Sequence, residues 1–355
     1  MELYICTTVR HLLLSIMKAT NTPNIVANIV FFYDYQNAEP DSYDTSSLPQ
    51  NIKIHFLKRR ELTKKINSVV SGKITFFAAM REIKSNGWLK NNLLKFLKKY
   101  NTDLYQELNG RPLEEMYLFN ERSKVSRLFR LFSSEYSIIE DGEANYKTFR
   151  TKTIQRPIRI IRGLKVNESS WGESNNCRFI NVFNPERVPV GVVDKAKSIG
   201  FINKKSKSII RDFFRISKSN QSNKTIIVAT QPIETIPGSS RAVKELIYDT
   251  LLSKLNLKQN SIWLKIHPRE PQGDYLDIIS KYNINLMESK LPVEALLLGG
   301  DGEEKPYIIS LNSTSGLGFE EYCNIIKIFE GTLEVEIKKF NQNNFSSIEK
   351  KLKDI

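Results

Sequence analysis

The sequence predicts an α/β protein with two Rossmann-like domains that face a cleft, and three observations support this prediction. The chain has 355 residues, which is too long for one ordinary core and suits two domains of about 150 residues each. Apolar residues make up 40% of the chain, which excludes wholesale disorder. Short apolar runs alternate with helical periodicity over residues 2–141 and again over 224–330, as is typical of parallel sheets.

In the N-terminal half, apolar runs predict strands and a period of 3.6 residues predicts the helices between them. We expect strands at residues 2–9, 24–34, 51–57, 115–120 and 136–141. We expect helical structure between residues 58 and 100, and a helix at 123–132.

The alternation of apolar strands and helical periodicity becomes weaker between the two halves of the chain. Residues 147–165 hold seven Lys and Arg and no acidic residue, and residues 166–176 are polar and rich in turn formers. We therefore predict a connecting region at 166–222, with some helix near 191–216.

The C-terminal part repeats the alternation of strands and helices. We expect strands at 224–230, 261–266, 284–287, 306–311 and 324–330, and helices at 239–256, 273–281, 292–298 and 315–322. Ser239 or Ser240 is the expected N-cap of the first of these helices. The predicted domains are residues 1–165 and 223–335, followed by a C-terminal helix or tail at 336–355.

Several classes of site are excluded by what the sequence lacks. The three cysteines are scattered and the chain has only three histidines, so a disulfide framework, a cysteine zinc site and a histidine-rich metal cluster are not expected. The motifs GxGxxG, GxxxxGK[ST], DxD, HExxH and GxSxG are absent. Their absence argues against a dinucleotide enzyme, a P-loop NTPase, a metal-bridged DxD transferase, a zinc protease and an α/β-hydrolase.

The chain is strongly basic, with 53 Lys and Arg against 39 Asp and Glu and a net charge of +14. Such a surface favours nucleic acid, anionic lipid headgroups or phosphate-bearing substrates, although solvated lysines give the same composition. Residues 53–99 alone hold 13 cations and only Glu61 and Glu82 as acids. Apolar residues at helical spacing in this stretch argue for a core face and against nucleic-acid binding.

The most informative candidate is His267, which follows an apolar strand and precedes Pro268. Proline ends the strand there, so the imidazole is expected at the carboxyl edge of a parallel sheet, where ligands bind. Lys265 and Arg269 bring positive charge that suits a phosphate. A strand-end histidine satisfied by a backbone carbonyl is the alternative.

A second candidate is the acidic pair Glu140 and Asp141, which follows an apolar strand and precedes Gly142. Two carboxylates at a sheet edge repel each other, which raises one pKa and favours a general base. Simple turn chemistry at Asp-Gly is the alternative.

Two further groups lie where helices are expected to begin. Asn312, Ser313, Thr314 and Ser315 would form an anion site at the N-terminus of the predicted helix 315–322, or an ordinary N-cap. Pro292 and Glu294 open helix 292–298, where the glutamate could bind ribose hydroxyls or a base edge, or simply complement the helix dipole.

These motifs resemble those of bacterial sialyltransferases, in particular the lipooligosaccharide sialyltransferase family (glycosyltransferase family 52), and are shared with the bacterial polysialyltransferases. The resemblance spans about residues 2–330. It matches an acidic motif to Glu140-Asp141-Gly142, an HP motif to His267-Pro268, and a Ser/Thr motif to Ser313-Thr314-Ser315.

The resemblance implies a GT-B fold and an inverting transfer of sialic acid from CMP-sialic acid, with no metal and no other cofactor. It places the acceptor in the N-terminal domain and the donor in the C-terminal domain. His267 would meet the CMP phosphate, the Ser/Thr motif would help bind the donor, and Pro292 and Glu294 would lie near the nucleotide. In parts of the family the base lies in the first loop of the donor domain, so Glu234 competes with Asp141.

The expected acceptor is a galactose-type hydroxyl of a bacterial surface glycan, such as lipooligosaccharide or capsule. A related glycosyltransferase with another nucleotide sugar is the alternative, and a nucleic-acid-binding protein the less favoured one. No signal peptide or apolar run of 18 residues occurs, so we expect a cytoplasmic protein. The positive charge adds the expectation of peripheral contact with the inner face of the plasma membrane, and a homodimer is left open.

Overall fold

Two parallel β-sheets, one in each half of the chain, organise the protein. The computed structural model describes residues 1–36, 38–70, 87–216, 225–256, 261–288, 291–299, 305–342 and 345–352. The chain divides into two compact units, Met1–Phe213 and Phe214–Ile355. The α/β class predicted from the sequence is confirmed.

The N-terminal unit contains nine of the described strands and seven of the described α-helices. The strands are β1 (Glu2–Cys6), β2 (Ala27–Phe32), β3 (Ile52–Leu57), β4 (Glu115–Leu118), β5 (Tyr136–Ile139), β6 (Phe149–Arg150), β7 (Glu168–Ser169), β8 (Cys177–Val182) and β9 (Ala196–Ser198). The helices are α1 (Val9–Thr20), α2 (Arg59–Val70), α3 (Gly87–Tyr100), α4 (Thr102–Gly110), α5 (Lys124–Phe129), α6 (Arg156–Ile161) and α7 (Lys204–Phe213). Short 3-10 turns occur at Tyr33–Tyr35, Pro40–Ser42, Thr45–Ser47, Glu143–Tyr146, Thr153–Gln155, Pro185–Arg187 and Val190–Lys195.

The first sheet has the strand order β3-β2-β1-β4-β5-β8-β9, and all its neighbours pair in parallel. The central strand β1 is buried along its whole length, which explains its continuous apolar sequence. The strand order reverses between β1 and β4. In doubly wound sheets, ligands bind outside the carboxyl ends of the strands at this reversal.

The first strand is shorter than the sequence predicted, because a helix begins sooner. β1 ends at Cys6, and α1 begins at Val9 within the stretch that was expected to be extended. Thr8 caps the helix by accepting a 3.2 Å hydrogen bond from the His11 N–H at its side-chain oxygen. The cap satisfies an N–H that has no partner inside the helix.

The region predicted as a connection differs most from the prediction. Residues 177–182 and 196–198 form β8 and β9 of the first sheet, which the sequence did not predict. Residues 204–213 form α7, in agreement with the helix predicted near 191–216, and all three elements belong to the N-terminal unit. Strand β8 alternates buried and more exposed positions, so it lacks the continuous apolar run that marks β1. Within the helical stretch predicted between 58 and 100, α2 and α3 agree with the prediction, while 71–86 lies outside the described residues.

The C-terminal unit is a smaller version of the same architecture. Its strands are β10 (Thr225–Ala229), β11 (Ser261–Lys265), β12 (Asn285–Met287), β13 (Tyr307–Ser310) and β14 (Asn324–Lys327). Its α-helices are α8 (Arg241–Asn256), α9 (Leu276–Tyr282), α10 (Val293–Gly299), α11 (Leu333–Asn341) and α12 (Ser346–Lys351), with a 3-10 turn at Gln272–Tyr275.

The second sheet has the order β12-β11-β10-β13-β14, again with parallel neighbours. Its strand order reverses between β10 and β13. Ser240 caps α8 by accepting a 3.2 Å hydrogen bond from the Val243 N–H, which decides between the two serines that the sequence offered. Within the described ranges, no helix is both long enough and apolar enough to cross a bilayer.

The helix predicted at 315–322 is wrong. The chain forms a series of turns there, with N–H groups bonding carbonyls three residues back. Gly316 and Gly318 have φ of +79° and +85°, and a left-handed backbone at two such close positions cannot continue an α-helix. The helix N-terminus that was expected to follow Ser313 is therefore absent.

The conformation of Gly172 gives a test of the packing in the first unit. Its φ is +78°, and a Cβ placed on it would lie 2.7 Å from Cγ1 of the buried Ile180. We expect Gly172→Ala to lower the free energy of unfolding by roughly 2–5 kcal/mol, from backbone strain and overpacking together.

The matched control is Gly163→Ala, where φ is +64° and nothing lies within 4 Å of the added Cβ. This variant should lose only roughly 1–2 kcal/mol, the cost of the left-handed backbone. Urea unfolding of both variants measures the difference. Equal losses would show that the contact with Ile180 is unimportant.

Candidate active site

Three side chains meet at the carboxyl edge of the first sheet, next to the reversal of strand order. His11 lies in the first turn of α1, just after β1, while Phe119 directly follows β4 and Asp141 follows β5. The rings of His11 and Phe119 stack, with centroids 4.1 Å apart and planes inclined by 5°. The crevice where this fold binds ligands therefore contains a histidine–aspartate pair.

The hydrogen bonds of the pair fix the tautomer of His11. The Thr7 N–H lies 3.2 Å from His11 Nδ1, and a backbone N–H can only donate, so Nδ1 carries no proton. The ring proton of neutral His11 is therefore on Nε2, which lies 2.5 Å from Asp141 Oδ1. Both ring nitrogens are engaged, and the imidazole holds one carboxylate oxygen in place.

The two members of the pair differ in their access to solvent. The His11 side chain is 2% exposed and the Asp141 side chain is 26% exposed. None of the described residues donates a hydrogen bond to Asp141 Oδ2, so this oxygen is available to a ligand. The carboxylate therefore has one oxygen bound to His11 and a second that a hydroxyl could approach.

Two opposing effects act on the pKa of Asp141. Burial raises this pKa, but the neighbouring His11 lowers it through electrostatic attraction and its hydrogen bond, and Arg10 lowers it further. The net result is a pKa below the ordinary aspartate value of 3.8. Asp141 is consequently a carboxylate at neutral pH, the form that accepts a proton.

Glu140 and Asp141 have different environments, although the sequence offered them as one acidic pair. Glu140 is fully buried; its Oε2 accepts hydrogen bonds from the Tyr146 hydroxyl and, at 2.9 Å, from the Phe183 N–H. Arg10 lies 3.8 Å from the other carboxylate oxygen. These contacts tie the loop after β5 to its neighbours, and only Asp141 reaches the crevice.

The glycine of the acidic motif shapes the same loop. Gly142 has a φ of 139° and a ψ of −151°, a combination that is almost restricted to glycine. The side-chain oxygen of Asn145 accepts the Asp141 N–H at 3.0 Å. The loop backbone is thus held in one conformation beneath the Asp141 carboxylate.

In the second unit, His267 lies at the carboxyl end of β11, where the sequence predicted it. Its Nδ1 accepts a 3.2 Å hydrogen bond from the Arg269 N–H, so the proton of the neutral ring is on Nε2. Burial, together with the charges of Arg269 and Lys265, lowers the pKa of His267 despite an opposing effect of Glu270. The ring is therefore neutral at pH 7 and offers an Nε2–H donor.

A buried polar network holds the loop that carries His267. The His267 N–H donates to Thr230 Oγ1 at 2.9 Å, and this hydroxyl donates to Glu270 Oε2 at 2.6 Å. Lys244, which is fully buried, lies 3.1 Å from Glu270 and 3.2 Å from Asp274. The ammonium group thus ties the turn after β11 to helix α8.

The competing base candidate, Glu234, belongs to this network. Its carboxylate forms an ion pair with Lys244. Burial raises the pKa of Glu234, but the hydrogen bond from Lys244 lowers it below the ordinary value. Proton acceptance by Glu234 would remove one counter-ion from a buried ammonium, which is costly.

Lys265 and Glu294 lie in the interior of the second unit. Lys265 is buried and donates a 2.8 Å hydrogen bond to the Glu288 carbonyl, and burial lowers its pKa to about 8 despite the nearby Glu294 and Glu288. Glu294 is buried and accepts a 3.3 Å hydrogen bond from the Gly316 N–H. Of the two cations predicted beside His267, only Arg269 is exposed.

The Ser/Thr motif follows β13 on the far side of the second strand reversal. The Asn312 N–H donates to Gln231 Oε1 at 2.7 Å, which links the ends of β13 and β10. Ser313 and Ser315 hydroxyls lie 2.9 Å apart. Asn312, Ser313, Thr314 and Ser315 are each partly exposed, and Pro292 is buried at the start of α10. The motif is a hydroxyl-lined turn and not a helix N-terminus.

Sequence reasoning missed His11, Glu270 and Lys244. The sequence pattern around His11 could have located it. Thr8 followed by Leu12, Leu13 and Ile16 is typical of an N-cap before an amphipathic helix, which places His11 in the first turn of that helix. Nothing in the sequence pairs Lys244 with Glu270, because the two are distant in the chain. No cluster of three or more His, Cys, Asp or Glu that could hold a metal occurs in the described residues.

Comparison with solved structures shows the fold. The crystal structure of an α/β-galactoside α-2,3-sialyltransferase from the luminous marine bacterium Photobacterium phosphoreum matches with a TM-score of 0.55 and 12% identity, over 98% of this chain and 93% of that one. Os79 from O. sativa, in complex with UDP, matches with a TM-score of 0.53 and 10% identity, over 100% and 90%. The fold is similar to that of GT-B glycosyltransferases, as predicted.

Comparison by sequence shows the family. No curated protein matches the chain, but the model of the alpha-2,8-polysialyltransferase family (POLYST) matches residues 2–331. The resemblance to bacterial sialyltransferases is confirmed through this polysialyltransferase family, and not through the lipooligosaccharide family that the sequence analysis favoured. The chain belongs to the alpha-2,8-polysialyltransferase family and is a sialyltransferase that uses CMP-sialic acid.

Proposed function

We propose that the protein extends a chain of sialic acid in capsule synthesis, transferring each residue from CMP-sialic acid to the 8-hydroxyl of a terminal sialic acid. The observation that supports this proposal is the family match over residues 2–331. The acceptor is then itself sialylated and anionic. This differs from the galactose-type acceptor expected from the sequence, which the family match does not support.

In the proposed reaction, Asp141 is the general base. Its free oxygen accepts the proton of the acceptor hydroxyl. At the same time the acceptor oxygen bonds to the anomeric carbon of the donor, with inversion. The bond from this carbon to the phosphate oxygen breaks, and CMP leaves with the electron pair. A carboxylate that is ionised at neutral pH and partly exposed suits this role.

His267 stabilises the leaving group in this proposal. Its Nε2–H would donate to a phosphate oxygen of CMP, where negative charge grows as the bond breaks. The partly exposed Ser313, Thr314 and Ser315 are proposed to assist donor binding. Because CMP carries a single phosphate, no metal is expected to take part.

We also propose peripheral contact of the protein with the inner face of the plasma membrane, where capsule precursors are assembled. The net charge of +14 supports this location, since an anionic leaflet attracts basic proteins.

The first test is direct identification of the product. The purified protein is incubated with CMP-sialic acid and either an α-2,8-linked oligosialic acid or a galactoside, and the products are analysed by mass spectrometry. We expect the sialylated acceptor to grow by several residues and the galactoside to remain unmodified. Transfer to the galactoside alone would refute the proposed acceptor.

The second test concerns the identity of the base. Asp141→Asn preserves shape but removes the proton acceptor, so we expect turnover to fall roughly 10²–10⁴-fold while CMP still binds by calorimetry. Glu234→Gln is the comparison, and it should retain most of the turnover in molecules that fold. If Glu234→Gln abolishes turnover and Asp141→Asn does not, Glu234 is the base.

The third test asks whether His11 acts through Asp141. His11→Phe keeps a ring on Phe119 but loses the hydrogen bond, which should lower kcat roughly 10–100-fold through misplacement of the carboxylate. Because His11 lowers the pKa of Asp141, its loss should raise that pKa. The acid limb of the pH–rate profile should then move to higher pH.

The control is His11→Gln, whose side-chain amide can reach the position of Nε2 and donate to Asp141. It should recover part of kcat and return the acid limb toward lower pH. A fall in kcat with an unmoved pH profile in both variants would mean that His11 serves the fold only.

A further inference from the structure

The segment from Lys147 to Lys165 exposes aliphatic side chains beside a dense group of cations. Ile154 is 84% exposed, and Ile160 and Ile161 of α6 are 64% and 65% exposed. Exposed isoleucines this close together are unusual on a soluble face. We call residues 147–165, together with Val190, the basic–apolar surface.

Val190 belongs to this surface because its loop lies against the end of the segment. A Cβ placed on Gly191 would lie 3.7 Å from Lys165 Nζ, and the neighbouring Val190 is 90% exposed. The aliphatic groups of the surface thus come from two separate stretches of the chain.

The outward orientation of the isoleucines is fixed by a buried arginine. Arg159 donates from Nη1 and Nη2 to the two oxygens of Glu173, at 2.6 and 2.7 Å, and from Nε to the Lys165 carbonyl at 2.6 Å. A bidentate pair of this kind has a specific geometry. Helix α6 therefore turns Arg159 inward and Ile160 and Ile161 outward, whereas an ordinary surface helix buries its apolar residues and exposes its charged ones.

The charge of the surface has one sign. Residues 147–165 contain seven Lys and Arg and no acid, and Lys147, Arg150, Lys152 and Lys165 are exposed. A partner that complements this surface would be anionic and would also accept aliphatic side chains.

We propose that the basic–apolar surface docks the protein on a lipid bilayer that contains anionic headgroups. Cations are attracted to such headgroups, and aliphatic side chains insert at the boundary between headgroups and acyl chains. A bilayer accepts this combination without a complementary shape. The proposal deepens the peripheral membrane contact proposed above and rests on it.

A second copy of the chain fits the surface less well. A two-fold contact through this surface would bring identical patches together, so the cations of one copy would face those of the other and repel them. An acidic protein partner would satisfy the charge but would need its own apolar pockets.

The experiment measures binding of the full-length protein to vesicles by co-sedimentation. Vesicles of phosphatidylcholine with phosphatidylglycerol are compared with pure phosphatidylcholine, at low and high salt. The apolar variant is Ile154→Ser/Ile160→Ser/Ile161→Ser, and the charge variant is Lys147→Gln/Lys152→Gln/Lys165→Gln. The matched control is Leu246→Ser/Leu276→Ser/Val335→Ser, which removes exposed aliphatic residues elsewhere.

We expect the protein to bind the anionic vesicles, with weaker binding at high salt. The charge variant should lose about fivefold in binding for each cation removed, and the apolar variant roughly tenfold or more at either salt concentration. The control should bind like the unmodified protein.

Unchanged binding of both variants would overturn this assignment of the surface. A shift of the apolar variant to a smaller species in size-exclusion chromatography, without vesicles, would instead identify an interface between copies and also overturn it. Transfer to a soluble oligosialic acid, measured in parallel, should be equal in all variants. Absence of transfer in the unmodified protein would count against the proposed function and not against the surface.

Discussion

Parallel pairing of β1 with β4, and of β10 with β13, determines where the functional loops of each unit emerge. Because these strands run in one direction, the residues that follow them all leave at the same edge. In the first unit that edge holds His11, Phe119 and Asp141. In the second it holds Gln231 and Asn312, whose hydrogen bond joins the two strand ends. The sheets thus bring together residues that are far apart in sequence.

Most of this framework follows from local sequence patterns. Buried parallel strands are continuous apolar runs, so β1, β10 and β13 were predictable, and His267 was correctly placed at the end of β11. Strand β8 could not be predicted, because its alternating burial and its polar residues make it resemble the loops around it. The turns after β13 were mistaken for a helix, because hydroxyl residues before an apolar stretch also describe an N-cap. The positive φ of Gly316 and Gly318 shows that the segment forms turns and not a helix.

The candidate site was less predictable than the fold, for a physical reason. Adjacent acids such as Glu140 and Asp141 look equivalent in sequence, but one is buried under the Tyr146 hydroxyl and the other faces His11. Which of two neighbouring side chains reaches the crevice depends on packing across the sheet. The partner of Asp141, His11, lies 130 residues earlier in the sequence, and no local pattern encodes that pairing.

Lys244 is fully buried between the carboxylates of Glu234, Glu270 and Asp274. Loss of its ammonium group would leave three carboxylates close together with no buried counter-ion, and that repulsion would act on the turn that carries His267. A single replacement of this lysine is therefore expected to be more harmful than a double replacement that also removes a carboxylate. These four positions are energetically coupled, so a substitution at any one of them limits which substitutions the other three tolerate.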